Sequence, residues 1–152
     1  MEIHHALQHV LASFIASAGF GILFNAPRRA LLQCGAAGAA GWMLYIWLQE
    51  LEVLPVTATV VAAFWVTIIS HYFAKVYRTP IIVFSVSGII PLVPGGLAYD
   101  ALRHVAMNQY DQAVSLGAQA FMISGAIGLG LVLAEVTNQL IRKWLPTRYL
   151  GR

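Results

Sequence analysis

Charge is what this chain has least of: 10% of its 152 residues are Asp, Glu, Lys or Arg, against about 25% in an ordinary soluble domain. So few charges cannot cover a water-facing surface, and with 59% of residues hydrophobic the chain reads as a membrane protein. Cysteine occurs once, as Cys34, which excludes an internal disulfide framework. Set in an apolar run, Cys34 reads as a small helix-packing residue. Also missing are a Gly-rich phosphate loop, a nucleophile elbow, paired cysteines and a carboxylate pair buried in a span. Nothing here supports ATP use, covalent catalysis, a metal or a cofactor, so an enzyme is not expected. The net charge of +3 and pI near 9.3 could suggest nucleic acid, but the nine basic residues lie in short loops and at the C-terminus, not on one face.

What is present is apolar sequence in five stretches, at about 6–24, 30–48, 56–74, 81–99 and 113–141. Each holds at least about 19 residues, or about 28 Å of helix, enough to cross a hydrocarbon core about 30 Å thick. Between them lie short segments carrying Pro, Asn or charge. The expected fold is all-α and integral to the membrane: one transmembrane domain over residues 1–152, a five-helix bundle whose fourth helix is broken by Pro and Gly. Ala16-Ser17-Ala18 resembles a signal-peptide cleavage site, but the residues before it carry no Lys or Arg and the apolar stretch runs on to Phe24, so it reads as a retained helix.

Orientation follows from the basic residues. Five spans put Arg28, Arg29, Lys75, Arg78, Arg142, Lys143, Arg148 and Arg152 on one side and Arg103 alone on the other. If the fourth stretch turned back as a re-entrant loop, the nine would divide five to four. The positive-inside rule selects five spans, with the N-terminus outside and the C-terminus cytoplasmic. Trp42, Tyr45 and Trp47 at the outer side, and Tyr72, Tyr77, Trp144 and Tyr149 at the inner, fit aromatic belts.

Small residues recur at every fourth position: Ser13, Ser17 and Gly21; Cys34 and Gly38, with Ala37 and Gly41 beside them; Ala120, Ser124 and Gly128. Such stripes let helix backbones approach closely in lipid. They suit packing within the chain or docking of a partner.

The segment Ser85-Val-Ser87-Gly-Ile-Ile-Pro91-Leu-Val-Pro94-Gly95-Gly96 is the most informative. Pro91 and Pro94 leave the carbonyls of Ser87 and Ile90 without helical partners and push Ile90 and Val93 toward extended geometry. Counted from Pro80, the break lies about 16 to 21 Å deep, near mid-membrane. There a broken helix is tolerated only beside protein or a wet cavity, and a second half-helix starting at Gly95 and Gly96 would present bare N–H groups to an anion such as a carboxylate. Ser87, Pro91, Pro94, Gly95 and Gly96 are therefore candidate pathway residues; the alternative is a kinked structural helix whose free carbonyls find partners nearby. His71 and Glu135, ionisable residues near the inner ends of the third and fifth spans, are candidates for a coupling proton. Each is also close enough to the interface to reach water as a structural residue. His4, His5 and His9 read as interfacial residues at the outer end.

Around Pro91-Leu-Val-Pro94-Gly95-Gly96 the chain resembles the threonine/serine exporter family, in its short YjjB-like form. The likeness extends through the five-span layout and the Gly-rich last span. It implies half of an exporter, the other half being a separate, larger YjjP-like membrane protein, with succinate as the substrate of such pairs and threonine or serine that of fused relatives. Only Pro91, Pro94, Gly95 and Gly96 carry over, as a pathway element. A membrane scaffold or assembly protein is the alternative from another class.

Overall fold

The computed structural model describes residues 3–144; Arg148, Tyr149 and Arg152, used above for charge and aromatic belts, lie outside the described residues. Six α-helices follow one another: α1 (Ile3–Leu23), α2 (Leu31–Glu50), α3 (Pro55–Tyr77), α4 (Ile81–Ile89), α5 (Gly95–Ala106) and α6 (Tyr110–Trp144). Short 3-10 turns, Arg28–Ala30 and Ile90–Leu92, precede α2 and follow α4. Among the described residues there is no strand. Four helices are long and apolar enough to cross a membrane, and α4 with α5, bent by 52° at their break, make a fifth if they form one span. The chain is a multi-pass helical membrane protein. Helix boundaries differ from the expected stretches by one to three residues except in the fourth, where α5 runs on to Ala106.

Four of the helix ends share one design. Asn25, Glu52, Arg78 and Asn108 adopt positive φ after α1, α2, α3 and α5. In each case the next residue's N–H bonds a carbonyl five residues back: Ala26 to Gly21, Val53 to Leu48, Thr79 to Ala74 and Gln109 to His104. This left-handed cap satisfies carbonyls that a helix end leaves orphaned and turns the chain within a few residues. Pro55 then opens α3, where its missing N–H costs nothing.

Size is distributed opposite to a soluble core. Inside are mainly small residues, such as Cys34, Ala37, Ala58, Ala62 and Ala63, with Val66, Phe84, Leu92 and Ile127 as the bulkier exceptions. Outside are Ile15, Leu23, Leu32 and Phe121. That is the arrangement for lipid, where close backbone approach brings helices together. The stripes of α1 and α2 meet each other: Ser17 abuts Gly38, and a methyl on Gly21 would touch Cys34 at 3.4 Å. The α6 stripe is different. Its packing residues are Ala120, Ala126, Ile127, Gly130 and Ala134, whereas Ser124 and Gly128 face outward. Gly130 sits so close to α3 that a methyl there would be 2.6 Å from the Val60 carbonyl oxygen.

The broken helix occupies the middle. α4 packs on α1, α2 and α3, and α6 lies beyond α3 with α5 against it. Leu92, in the 3-10 turn, is buried with Ala62, Ala63 and Ile127. Near the start of α4, Phe84 packs with Ala30 and Cys34 and touches the rings of Phe73 and Tyr77.

Candidate functional site

The break differs in one respect from the geometry expected of two prolines. Ile90 stays helical (φ −51°, ψ −45°), and the chain passes through Pro91 as a 3-10 turn. The preference of a residue before proline for extended backbone is overridden here by packing, because Leu92 must follow into the core. Helical geometry ends at Val93 (φ −65°, ψ 129°). The Val93 N–H bonds the Ile90 carbonyl at 3.2 Å, so that carbonyl recovers a partner locally. The Gly95 N–H bonds the Val93 carbonyl at 2.8 Å, and α5 begins.

That beginning is uncapped. Pro94 occupies the cap position and has no side chain that could accept a bond. Gly96 and Leu97, second and third in α5, have no carbonyl one turn back within the helix and make no backbone bond outside it. Both line a cavity of about 230 Å³ together with Pro91, Pro94, Trp42, Tyr45, Thr59 and Ile123. Of the three aromatics near the end of α2, Trp47 is exposed on the bundle surface, whereas Trp42 and Tyr45 stack on each other and line the cavity. Trp42 also donates its indole N–H to His9 Nδ1 at 3.3 Å, so His9 faces the bundle while His4 and His5 are exposed.

The polar inventory of the cavity is short. The Thr59 hydroxyl donates to the Pro55 carbonyl at 2.7 Å, and the Tyr45 oxygen accepts from Gln49 at 3.4 Å while keeping its own proton to give. The donors left unpaired among the lining residues are therefore the Tyr45 hydroxyl and the Gly96 and Leu97 N–H groups, and none of the lining residues is charged. Ser87 lies on the packed side of α4 instead, fully buried beside the Cys34 thiol. Gly95 is at the break with open space around it and does not line the cavity.

His71 and Glu135, singled out separately in the sequence, are in contact. His71 Nε2 lies 3.0 Å from Glu135 Oε2, at ion-pair distance though without good hydrogen-bond alignment. Asn138 Nδ2 donates to His71 Nδ1 at 3.1 Å, and Gln139 Nε2 donates to Glu135 Oε1 at 3.1 Å. The sequence reading missed Asn138 and Gln139; the signal was available, since both sit within one helical turn of Glu135 on α6.

Residues 9–137 match the family described as Threonine/Serine exporter, ThrE. The chain belongs to the threonine/serine exporter family. The matched region takes in the break, the cavity walls, His71 and Glu135. Exporter-family membership also fits the helical membrane fold. One relative, a Haemophilus influenzae protein described only as uncharacterized, is 29% identical over 135 residues, which cover 84% of this chain and 46% of the relative. The chain thus spans about half the length of that relative. No solved structure matches it.

Proposed function

We propose that this chain is the smaller half of a membrane exporter of small carboxylates, with the substrate path running past the break between α4 and α5. The observation that carries this reading is the uncapped start of α5 opening into the cavity. Unpaired N–H groups at the positive end of a helix dipole favour a carboxylate, and inside a membrane they have few competing partners. A cavity of about 230 Å³ is below the roughly 300–1,000 Å³ of sites for drug-sized ligands and suits a metabolite of a few carbons.

Succinate is the substrate we assign first. Its second carboxylate needs positive charge that no lining residue of this chain supplies, and we assign that charge to a second membrane subunit. A larger, YjjP-like membrane subunit fits that requirement, and the extra length of the Haemophilus influenzae relative is consistent with it. Threonine or serine is the second reading, favoured by the family's description, with the Tyr45 and Thr59 oxygens available to an ammonium group. We place the protein in the bacterial inner membrane with its N-terminus outside and its C-terminus in the cytoplasm. Export is driven by a transmembrane gradient.

The test is export of labelled succinate, threonine and serine from cells lacking this chain or its neighbouring membrane gene, restored with wild type or with Pro91, Pro94, Gly95 and Gly96 all changed to Ala. Gly95 and Gly96 have space for a methyl, so the variant should insert and fold. Export should fall by at least about tenfold because a continuous helix, now favoured by about 3 kcal/mol per Pro and about 1 per Gly, removes the unpaired amides. Normal export by the well-folded variant refutes the site. Unchanged export of all three compounds on deletion refutes transport, and leaves the scaffold role.

A further inference from the structure

We propose that His71, Glu135 and Asn138 form the proton-binding site that couples export to the proton gradient, an inference that rests on the exporter reading above. An amide nitrogen can only donate, so the Asn138 contact makes His71 Nδ1 an acceptor and places the neutral ring's proton on Nε2, the nitrogen 3.0 Å from Glu135 Oε2. The site then carries one negative charge, on Glu135. A proton arriving from water is taken up at Nδ1, the Asn138 amide turns over to offer Oδ1, and the site becomes an imidazolium–carboxylate pair with no net charge. Release of that proton reverses both changes. Gaining and losing one charge is a large change in a low-dielectric setting, so the loaded and empty sites favour different surroundings.

The surroundings suit this role. His71 is mostly covered, with its side chain 19% exposed, while Glu135 is 49% exposed. His71 lies six residues, about 9 Å, from the inner end of α3. Other charged groups are few. Lys75 is one turn further along α3, and Arg142 and Lys143 are about two turns beyond Glu135 on α6. Of the other helices packed on α3, α4 has no ionisable side chain, and α2 has Cys34, Tyr45 and, at its far end, Glu50. No lysine or arginine contacts the pair among the described residues, so the proton itself is the cation that neutralises Glu135. The same two helices reach the cavity: α3 through Thr59, and α6 through Ile123 and its packing on α5. A shift of α3 against α6 on proton binding is therefore felt at the break. In export, a proton entering from outside would leave to the cytoplasm here as substrate moves out.

A structural clasp between α3 and α6 would use the same contacts, so the test must separate holding from titrating. Inside-out vesicles from cells making this chain with its native partners are assayed in two ways: exchange of labelled for unlabelled substrate without a gradient, and accumulation driven by an acid lumen. Glu135→Gln keeps an acceptor for His71 but cannot ionise. It should retain exchange within about twofold and lose gradient-driven accumulation by at least about tenfold, together with substrate-linked proton release. Glu135→Asp should retain both activities, and Asn138→Leu should shift the pH profile of accumulation while sparing exchange. Wild-type accumulation in Glu135→Gln or in His71→Gln overturns the proposal, as does equal loss of exchange and accumulation in inserted protein, which is the signature of a clasp. Wild-type vesicles that do neither refute the exporter reading itself, and the coupling site with it.

Discussion

Gly128 and Gly130 are two positions apart on α6 and live under opposite constraints. Gly130 faces α3, where a methyl would meet the Val60 carbonyl oxygen at 2.6 Å, the Ala63 Cβ at 2.8 Å and the Phe64 nitrogen at 3.0 Å. Two of those atoms are backbone and cannot step aside, so Gly130→Ala must push α3 and α6 apart. It should cost about 1–3 kcal/mol, as overpacking does. A methyl on Gly128 meets nothing within 4 Å, and Gly128→Ala should leave the fold unchanged or gain up to about 1 kcal/mol of helix propensity. Thermal unfolding of the two variants in detergent checks this, and equal melting temperatures would count against the α3–α6 packing. Small residues at every fourth position marked close-packing faces on α1 and α2, but that these two faces meet each other is seen only in the fold. In α6, glycines at 117, 125, 128 and 130 fit more than one face, and spacing alone could not say which face packs. Depth placed His71 and Glu135 near the inner ends of their helices, but their contact depends on how α3 and α6 rotate about their axes. That rotation is set by the close approach of Gly130 to α3, a tertiary fact.

At the scale of elements, helices were legible because a membrane leaves them little alternative: backbone groups in hydrocarbon must bond within the segment. The break was legible too, though its fine structure was not. Two prolines mark where N–H groups are missing, but whether the chain bends at the first or the second depends on the burial of Leu92 between them. The turns were read only as polar punctuation. Their common left-handed cap accepts Asn readily at 25 and 108, where a short amide tolerates positive φ, but at Glu52 (φ 59°) it forces a longer side chain into a disfavoured conformation. Glu52→Gly should relieve that strain and stabilise the α2 end, by about 1 kcal/mol at most, while leaving the Val53-to-Leu48 bond in place. A higher melting temperature with unchanged helix content is the expected readout; a lower one would show that Glu52 contributes something its backbone strain conceals.

For the whole molecule, the number of crossings turns on the α4–α5 pair. A re-entrant loop has to reverse direction, whereas these two helices are bent by 52°, so α5 continues away from the side on which α4 began. Ile81 to Leu92 supplies about 18 Å of rise at 1.5 Å per residue, and the 12 residues of α5, inclined by that angle, add about 11 Å more. The sum approaches the roughly 30 Å of a hydrocarbon core. α6 then starts beside the end of α5 and returns against it, reaching about 52 Å over its 35 residues, long enough to cross and to project beyond the bilayer unless strongly tilted. Basic residues follow the same division. Arg28, Arg29, Lys75, Arg78, Arg142 and Lys143 fall at one end of the crossings and Arg103 at the other, a bias that a reversal at the break would erase. The prediction is a cytoplasmic C-terminus and an outside N-terminus. A fluorescent reporter that matures only in the cytoplasm should light up when fused after residue 152, and a phosphatase active only outside should work when fused within the α5–α6 turn near Asn108. Reversal of the C-terminal result alone would mean that α4 and α5 return to the inner side despite their geometry, placing the uncapped start of α5 at the tip of a loop and requiring the substrate path to be redrawn around it.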